Sequence, residues 1–309
     1  MTNAPTIRLG TRRSPLAIAQ AEEARARLCA AHGWAECSVE LVPVEASGDR
    51  IQDRPLADIG GKALWTRELD LWLGEGRIDA AVHSLKDVET IRPPDLTIAA
   101  VLPRADKRDV LIGAGSVHAL PSGAVVGTSA PRRAAQLLHA RPDCRVVPFR
   151  GNVQTRLAKL AAGQAQATFL AAAGLARLGQ EGTGHPLDAD EWLPAPAQAA
   201  IGIECRADDG QTRDWLAAVD HAPSRLEVMA ERTLLAALGG TCHSPVAVLC
   251  DLAGTELAMR AAIYTPNGAE KVVGAARFAA GDLDRPAQLA ADLLWRASPG
   301  LAAHFAAAP

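Results

Sequence analysis

The feature that most constrains this chain is an alternation. Across the first two-thirds of it, short apolar runs trade places with helix-period segments. TIRLGT, SVELVPVEA, IDAAVHS and LTIAAVLP read as strands. LAIAQAEEARARLCAA and LWTRELDLWLGEG read as helices, the first entered through Ser14-Pro15 and the second left through glycines. Around Pro103 the pattern restarts, with RDVLIG, AVVGTS, CRVVPF and ATFLAAAG as strands and PRRAAQLLHA and NVQTRLAKLAAG as helices. IGIECR is one more strand, placed to cross back to the first sheet. Alternation of this kind builds α/β units, and an apolar strand such as IDAAVHS fits a parallel sheet covered on both faces. From Ser224 the style changes. SRLEVMAERTLLAALGG is one long helix, and PVAVLCDL, ELAMRAAIY and EKVVGAARF are strands joined by Gly-containing turns. RPAQLAADLLWRA closes the chain as a helix. The expected fold is therefore α/β: two α/β lobes with a cleft between them and a small C-terminal α+β domain.

A chain of 309 residues is long enough for two or three such cores. Its 49% hydrophobic and 22% charged residues are those of a globular protein. The net charge of −3 argues against a general nucleic-acid binder, which is usually basic. MTNAPTIRLG has no apolar core of a secretory signal, and no run approaches the roughly 18 apolar residues of a membrane span. No membrane association is expected, and the cytoplasm is the expected compartment. The six cysteines, at 29, 37, 144, 205, 242 and 250, form no CxxC pair and no metal-ligand spacing, so free thiols and no metal are expected.

Four polar clusters fall where strands end. They are Thr11-Arg12-Arg13-Ser14, His83-Ser84-Leu85-Lys86-Asp87, Gly127 to Arg133 in GTSAPRR, and Arg150 to Arg156 in RGNVQTR; Arg177 follows the ATFLAAAG strand. In open α/β sheets ligands bind at the carboxyl ends of strands. Free N–H groups and the helix dipole favour anions there, and arginine adds a bidentate fork. One such arginine is usually a solvated helix residue; four junctions with arginine imply a ligand with several negative groups. No GxxxxGK[ST] loop and no GxGxxG after a strand occurs, so carboxylates are the better guess than phosphates. Asp87 stands beside Lys86 in a region rich in arginine, where it stays ionised and can offset a developing positive charge. A helix-cap or ion-pair role is the bland alternative.

LGGTCHSPVA sets Cys242 on a loop between two glycines and a proline. A disulfide is disfavoured by compartment and a metal site by the lack of partners. His243, as the adjacent residue, is a poor base for a thiol nucleophile. An attachment point and an inert thiol both stay open on these grounds.

Taken together, the segments resemble the porphobilinogen deaminase family, also called hydroxymethylbilane synthases. The resemblance runs in order through IRLGTRRSPLAIAQA, GGKALWTRELD, DAAVHSLKDVE, VGTSAPRRAAQL, FRGNVQTRLAKL, FLAAAGLARLG, PAPAQAAIGIECR and LGGTCHSPVA. It implies two lobes like those of periplasmic binding proteins, residues 1–102 with 201–222 and residues 103–200, and a third α+β domain, residues 223–309. It implies a dipyrromethane cofactor bound to Cys242 through a thioether, and a transferase that adds four porphobilinogens, releases ammonia each time, and frees hydroxymethylbilane with water. By the same resemblance Arg12, Ser14, Arg150, Arg156 and Arg177 hold incoming substrate or help deaminate it. Lys86, Thr128, Arg132, Arg133 and Asn152 hold the cofactor. Asp87 contacts pyrrole N–H groups and stabilises an azafulvene cation. A monomer that passes its product to uroporphyrinogen-III synthase, and movement of the lobes during elongation, are also implied.

The chain departs from the family's pattern at a few positions. Ala130 stands where a serine is common, Ala197 and Ala199 where glycines are usual, and Thr241 where a glycine is common. Local backbone shape is what these put in doubt. A solute-binding protein or a cysteine hydrolase would be the rival classes; the first lacks a reason for the cysteine loop, and the second needs a His and a carboxylate near Cys242 that the sequence does not offer.

Overall fold

The computed structural model describes residues 6–45 and 66–305. The first residues of GGKALWTRELD, through Trp65, lie outside them. The described chain forms two compact units, one of residues 6–45, 66–105 and 199–225, the other of residues 106–198 and 226–305.

In the first unit, β1 (Ile7–Arg12) is flanked in parallel by β2 (Val39–Val44) and β3 (Ala80–Ser84). β10 (Ile201–Arg206) returns to pair antiparallel with β3 and with β4 (Leu96–Val101), completing the order β2-β1-β3-β10-β4. Helix α1 (Pro15–His32) covers this sheet. Ser14 caps it by accepting the Ala17 N–H, Pro15 fixes its first turn, and Gly33, at φ 65°, ends it. Its buried positions, Ala17, Gln20, Ala21, Ala24 and Leu28, recur along one face, and Ala21, Ala24 and Leu28 share a core with Ile7, Leu9, Val82, Ile201 and Ile203. Helix α2 (Arg67–Gly74) buries Leu69 and Leu73 on the same sheet.

The second unit repeats the plan. β6 (Val125–Gly127) lies between parallel neighbours β7 (Arg145–Val147) and β8 (Ala167–Ala171); β5 (Asp109–Ile112) runs antiparallel to β8 and to β9 (His185–Pro186). The order β7-β6-β8-β5-β9 carries the same succession of parallel and antiparallel pairs as the first sheet. Its core sets Leu111, Val126 and Ala167 against Leu137, and Phe169 stacks on Trp192 at 4.9 Å. α3 (Pro131–Ala140) and α4 (Val153–Ala161) follow β6 and β7.

The C-terminal part of this unit is an antiparallel sheet of β11 (Val246–Ala253), β12 (Glu256–Tyr264) and β13 (Lys271–Ala279). One face packs on Leu234, Leu235, Leu289 and Leu293 from the flanking helices Ala222–Ala237 and Asp284–Arg296. From the other, Ala247, Leu249, Ala262 and Tyr264 meet Ala135 of α3 and Leu193.

Two readings of the sequence are corrected. Both α/β sheets are mixed rather than parallel, because β5 and β10 enter from the far direction; strand apolarity reports burial and says nothing of direction. ATFLAAAG is strand only to Ala171; Ala172–Arg177 is already helical, since alanine is the strongest helix former. A helix over Gly210–Ala217, capped by Asp209, was not foreseen. IGIECR does return to the first sheet.

Candidate functional site

In the first unit the ends of β1 and β3 meet at a small recess. Arg12 and Ser14 line it from the β1–α1 junction, and Asp87 from a single 3-10 turn, Leu85–Asp87, that follows β3. Thr66, His83, Ser84 and Gln20 complete its polar lining. Gln20 and Ser84 hydrogen bond to each other, the Gln20 amide donating to the Ser84 hydroxyl at 2.7 Å. Arg12, Ser14 and Asp87, called from separate motifs, thus share one wall. Lys86, in the same turn, is half-buried.

Behind the recess is a buried charge cluster that sequence reasoning missed. Glu204 on β10 is fully buried, and its Oε2 lies 3.1 Å from His83 Nε2 without the alignment of a hydrogen bond. Its Oε1 accepts Arg92 Nε at 2.8 Å, while Arg92 also reaches Asp70 at 2.6 Å and Glu89 at 2.7 Å. Burial alone would raise the Glu204 carboxyl, but His83 and Arg92 overcome it and hold it down at about 2. Burial raises the Asp70 carboxyl against the opposing pull of Arg92. The only trace in the sequence is a lone acid inside the apolar IGIECR run.

In the second unit the predicted residues again gather at strand ends. Thr128 follows β6 and is buried; its hydroxyl accepts the Ala130 N–H at 3.2 Å. Arg132 and Arg133, in the first turn of α3, are only 4% and 5% exposed. Both reach Asp109 at the start of β5, each at 2.7 Å. Arg150 follows β7 and is buried, and its carbonyl accepts Lys159 Nζ at 3.2 Å. Asn152 caps α4: its Oδ1 accepts the Thr155 N–H and hydroxyl, both at 2.9 Å. Arg156 Nε donates to the Gly151 carbonyl at 3.0 Å. Arg177 is half-buried in the last turn of the helix after β8.

Cys242 is exposed on a tight turn. The preceding helix ends through Gly239, at φ 64°, where glycine is favoured, and a side chain on Gly240 would displace Leu235 Cδ1, 2.5 Å away. The Thr241 N–H donates to Ser244 Oγ at 3.0 Å, the Ser244 N–H returns to the Thr241 carbonyl at 3.0 Å, and the His243 N–H donates to Thr241 Oγ1 at 3.1 Å. Thr241, where a glycine is common, therefore adds a hydroxyl that closes the turn. Among the described residues, no cluster of His, Cys, Asp or Glu is suited to a metal, and no helix is long and apolar enough to cross a membrane.

Six buried side-chain polar atoms lack a hydrogen-bond partner among the described residues, and four of them belong to these sites. They are Ser129 Oγ, Arg132 Nε, Arg133 Nε and His83 Nε2. Unsatisfied buried groups are rare in native proteins unless a ligand completes them. Three donors in one turn, two of them cationic, fit a group that carries carboxylates.

Fold and site together define a protein of two α/β sheets and a smaller antiparallel sheet, with arginines gathered at strand ends and a thiol on a turn. Two family descriptions match the chain: "Porphobilinogen deaminase, dipyromethane cofactor binding domain" over residues 7–214 and "Porphobilinogen deaminase, C-terminal domain" over residues 225–295. The porphobilinogen deaminase of Sphingopyxis alaskensis is 54% identical over 97% of this chain and 96% of that protein. That of Paracoccus denitrificans is 51% identical over 86% of each. Among solved structures, the BvgS periplasmic VFT2 domain of Bordetella pertussis covers 69% of this chain and 86% of its own at 16% identity, with a TM-score of 0.41. The chain belongs to the porphobilinogen deaminase family. It is an enzyme of tetrapyrrole biosynthesis, and its larger part is the dipyrromethane-binding domain.

Proposed function

We propose that the enzyme joins four porphobilinogen molecules head to tail on a dipyrromethane held by Cys242, releasing ammonia at each addition and hydroxymethylbilane at the end. The observation that carries this is the site chemistry. An exposed thiol stands on a closed turn, in the same unit as a buried arginine pair whose Nε donors are unsatisfied. When bound, the dipyrromethane supplies the nucleophilic pyrrole carbon that accepts the first added unit.

The residues divide the work. A thiolate is the natural nucleophile toward the electrophilic carbon of an azafulvene, and the thioether it forms has no easily ionised leaving group. Lys86, Thr128, Arg132, Arg133 and Asn152 hold the acetates and propionates of the bound chain. Arg12, Ser14, Arg150, Arg156 and Arg177 receive porphobilinogen and favour loss of its ammonia. Departure of ammonia leaves a cation, and the Asp87 carboxylate in the recess offsets that charge. The same reading divides the chain into lobes 1–102 with 201–222 and 103–200 and a third domain, 223–309. It has the enzyme act as a cytoplasmic monomer that hands its product to uroporphyrinogen-III synthase.

The test is the intact mass of the denatured protein together with its colour in Ehrlich's reagent. An excess of two linked pyrrole units, mapped to Cys242, is expected. An active enzyme of unmodified mass, or the adduct on another cysteine, would overturn the reading.

A further inference from the structure

Arg132 and Arg133 are neighbours on a helix, and neighbouring side chains there point about 100° apart. Their guanidinium groups nevertheless converge on one carboxylate. Asp109 is fully buried. Its Oδ2 accepts Arg132 Nη2 at 2.7 Å and Trp192 Nε1 at 2.9 Å; its Oδ1 accepts Arg133 Nη2 at 2.7 Å and Gln198 Nε2 at 2.9 Å. Four donors fill the capacity of one carboxylate. The remaining terminal nitrogens are tied as well, Arg132 Nη1 to the Leu193 carbonyl at 2.9 Å and Arg133 Nη1 to the Phe169 carbonyl at 3.0 Å. The Nε of each arginine has no acceptor among the described residues, and neither has Ser129 Oγ in the same turn.

The charge count points the same way. Two guanidinium groups share one carboxylate, so the cluster keeps one positive charge in a buried place. An excess buried charge is costly, so this cluster gains from an anionic partner. Excess charge and unsatisfied donors on the same two residues are the marks of a set completed by an anion.

We propose that Asp109 is a positioning residue: its carboxylate draws Arg132 and Arg133 to one point and leaves their Nε edges for a ligand carboxylate. The proposal rests on the reading that these arginines hold the dipyrromethane. Asp109 touches neither cofactor nor substrate. It fixes both arginines by their far ends, so an incoming carboxylate meets a preformed pair.

The test uses the full chain carrying Asp109→Asn or Asp109→Glu. Folded protein is isolated by size exclusion, and dipyrromethane occupancy per folded molecule is read from denatured intact mass. Asp109→Asn keeps the shape and loses the charge; occupancy is expected to fall at least about tenfold, the scale of one charge-assisted interaction. Asp109→Glu keeps the charge in a bulkier side chain and should recover a large part of the loss. Normal occupancy in folded Asp109→Asn, or equal losses in both variants, overturns the proposal. Arg132→Leu and Arg133→Leu separate the two ideas: normal loading in these would sink the reading of the arginines, while their failure beside normal Asp109→Asn sinks the role of Asp109 alone. Should neither Asp109 variant fold, the wild-type indole N–H resonance of Trp192, assigned with Trp192→Phe, decides. It is expected to shift between unloaded and loaded protein as the arginines share themselves between two carboxylates, and an unchanged resonance overturns the proposal.

Discussion

The carboxylate of Glu231 accepts the backbone N–H of Ala197 at 2.7 Å, inside the second unit, and Ala197 holds φ at 57°. Glu231 also accepts the Cys250 N–H at 3.0 Å. One buried acid thus pins a left-handed alanine to the strand that leaves the cysteine turn. Ala199 is left-handed too, at φ 70°. Left-handed backbone costs a residue with a Cβ about 1–2 kcal/mol. Glycine would remove that cost and return part of it as unfolded-chain entropy. Ala197→Gly and Ala199→Gly should each stabilise the protein by up to about 1 kcal/mol. The denaturant midpoint measures this, and a lowered midpoint would contradict it.

Asp87 lines the recess with Arg12 and Ser14. Asp87→Asn preserves its shape and removes its charge. We expect folded, cofactor-loaded protein whose turnover falls by at least about two orders of magnitude, as for the loss of one electrostatic stabiliser. Steady-state kcat on porphobilinogen is the measurement; a near-normal value would assign Asp87 a structural role.

Arg156 and Arg150 differ in what they can tolerate. Arg156 is half-buried and bonds to Gly151, whereas Arg150 is buried. Arg156→Leu should leave the melting temperature within a few degrees of wild type, and Arg150→Leu should lower it further. Both should interrupt the ladder of bound-chain masses seen after adding porphobilinogen. A complete ladder in both would remove them from the substrate site.

Glu204 sets an acid limit on the first unit. Its carboxyl is lowered from 4.5 to about 2 in the folded protein. A group lowered on folding stabilises above its unfolded value and loses that contribution as it is protonated in the folded state. Stability should therefore fall as the pH drops from about 4.5 toward 2. Glu204→Gln should be less stable at neutral pH and show a flatter acid limb in urea midpoints taken against pH. An unchanged acid limb would place the acid sensitivity elsewhere.

Cys242→Ser should give folded, inactive protein lacking the two-pyrrole mass, because an alcohol at neutral pH is a far weaker nucleophile than a thiol. Activity in this variant would exclude Cys242 as the anchor.

Local sequence determined much of this protein. Helical spacing placed Ala17, Ala21, Ala24 and Leu28 on one buried face, Ser14 and Pro15 started α1, and the two glycines before Thr241 made the cysteine turn, since each effect is settled within a few residues. Motifs at strand ends made the arginines and Asp87 candidates for the same reason. Tertiary structure alone decided strand direction: β5 and β10 look like their neighbours, and only long-range pairing makes them antiparallel. It also decided which charges are buried together. Asp109 and Arg132 are 23 residues apart, and His83 and Glu204 are 121 apart (204 − 83). A carboxylate at the edge of an apolar strand carries no local sign of its partners, because Coulomb and hydrogen-bond energies depend on distance in space, which the fold sets.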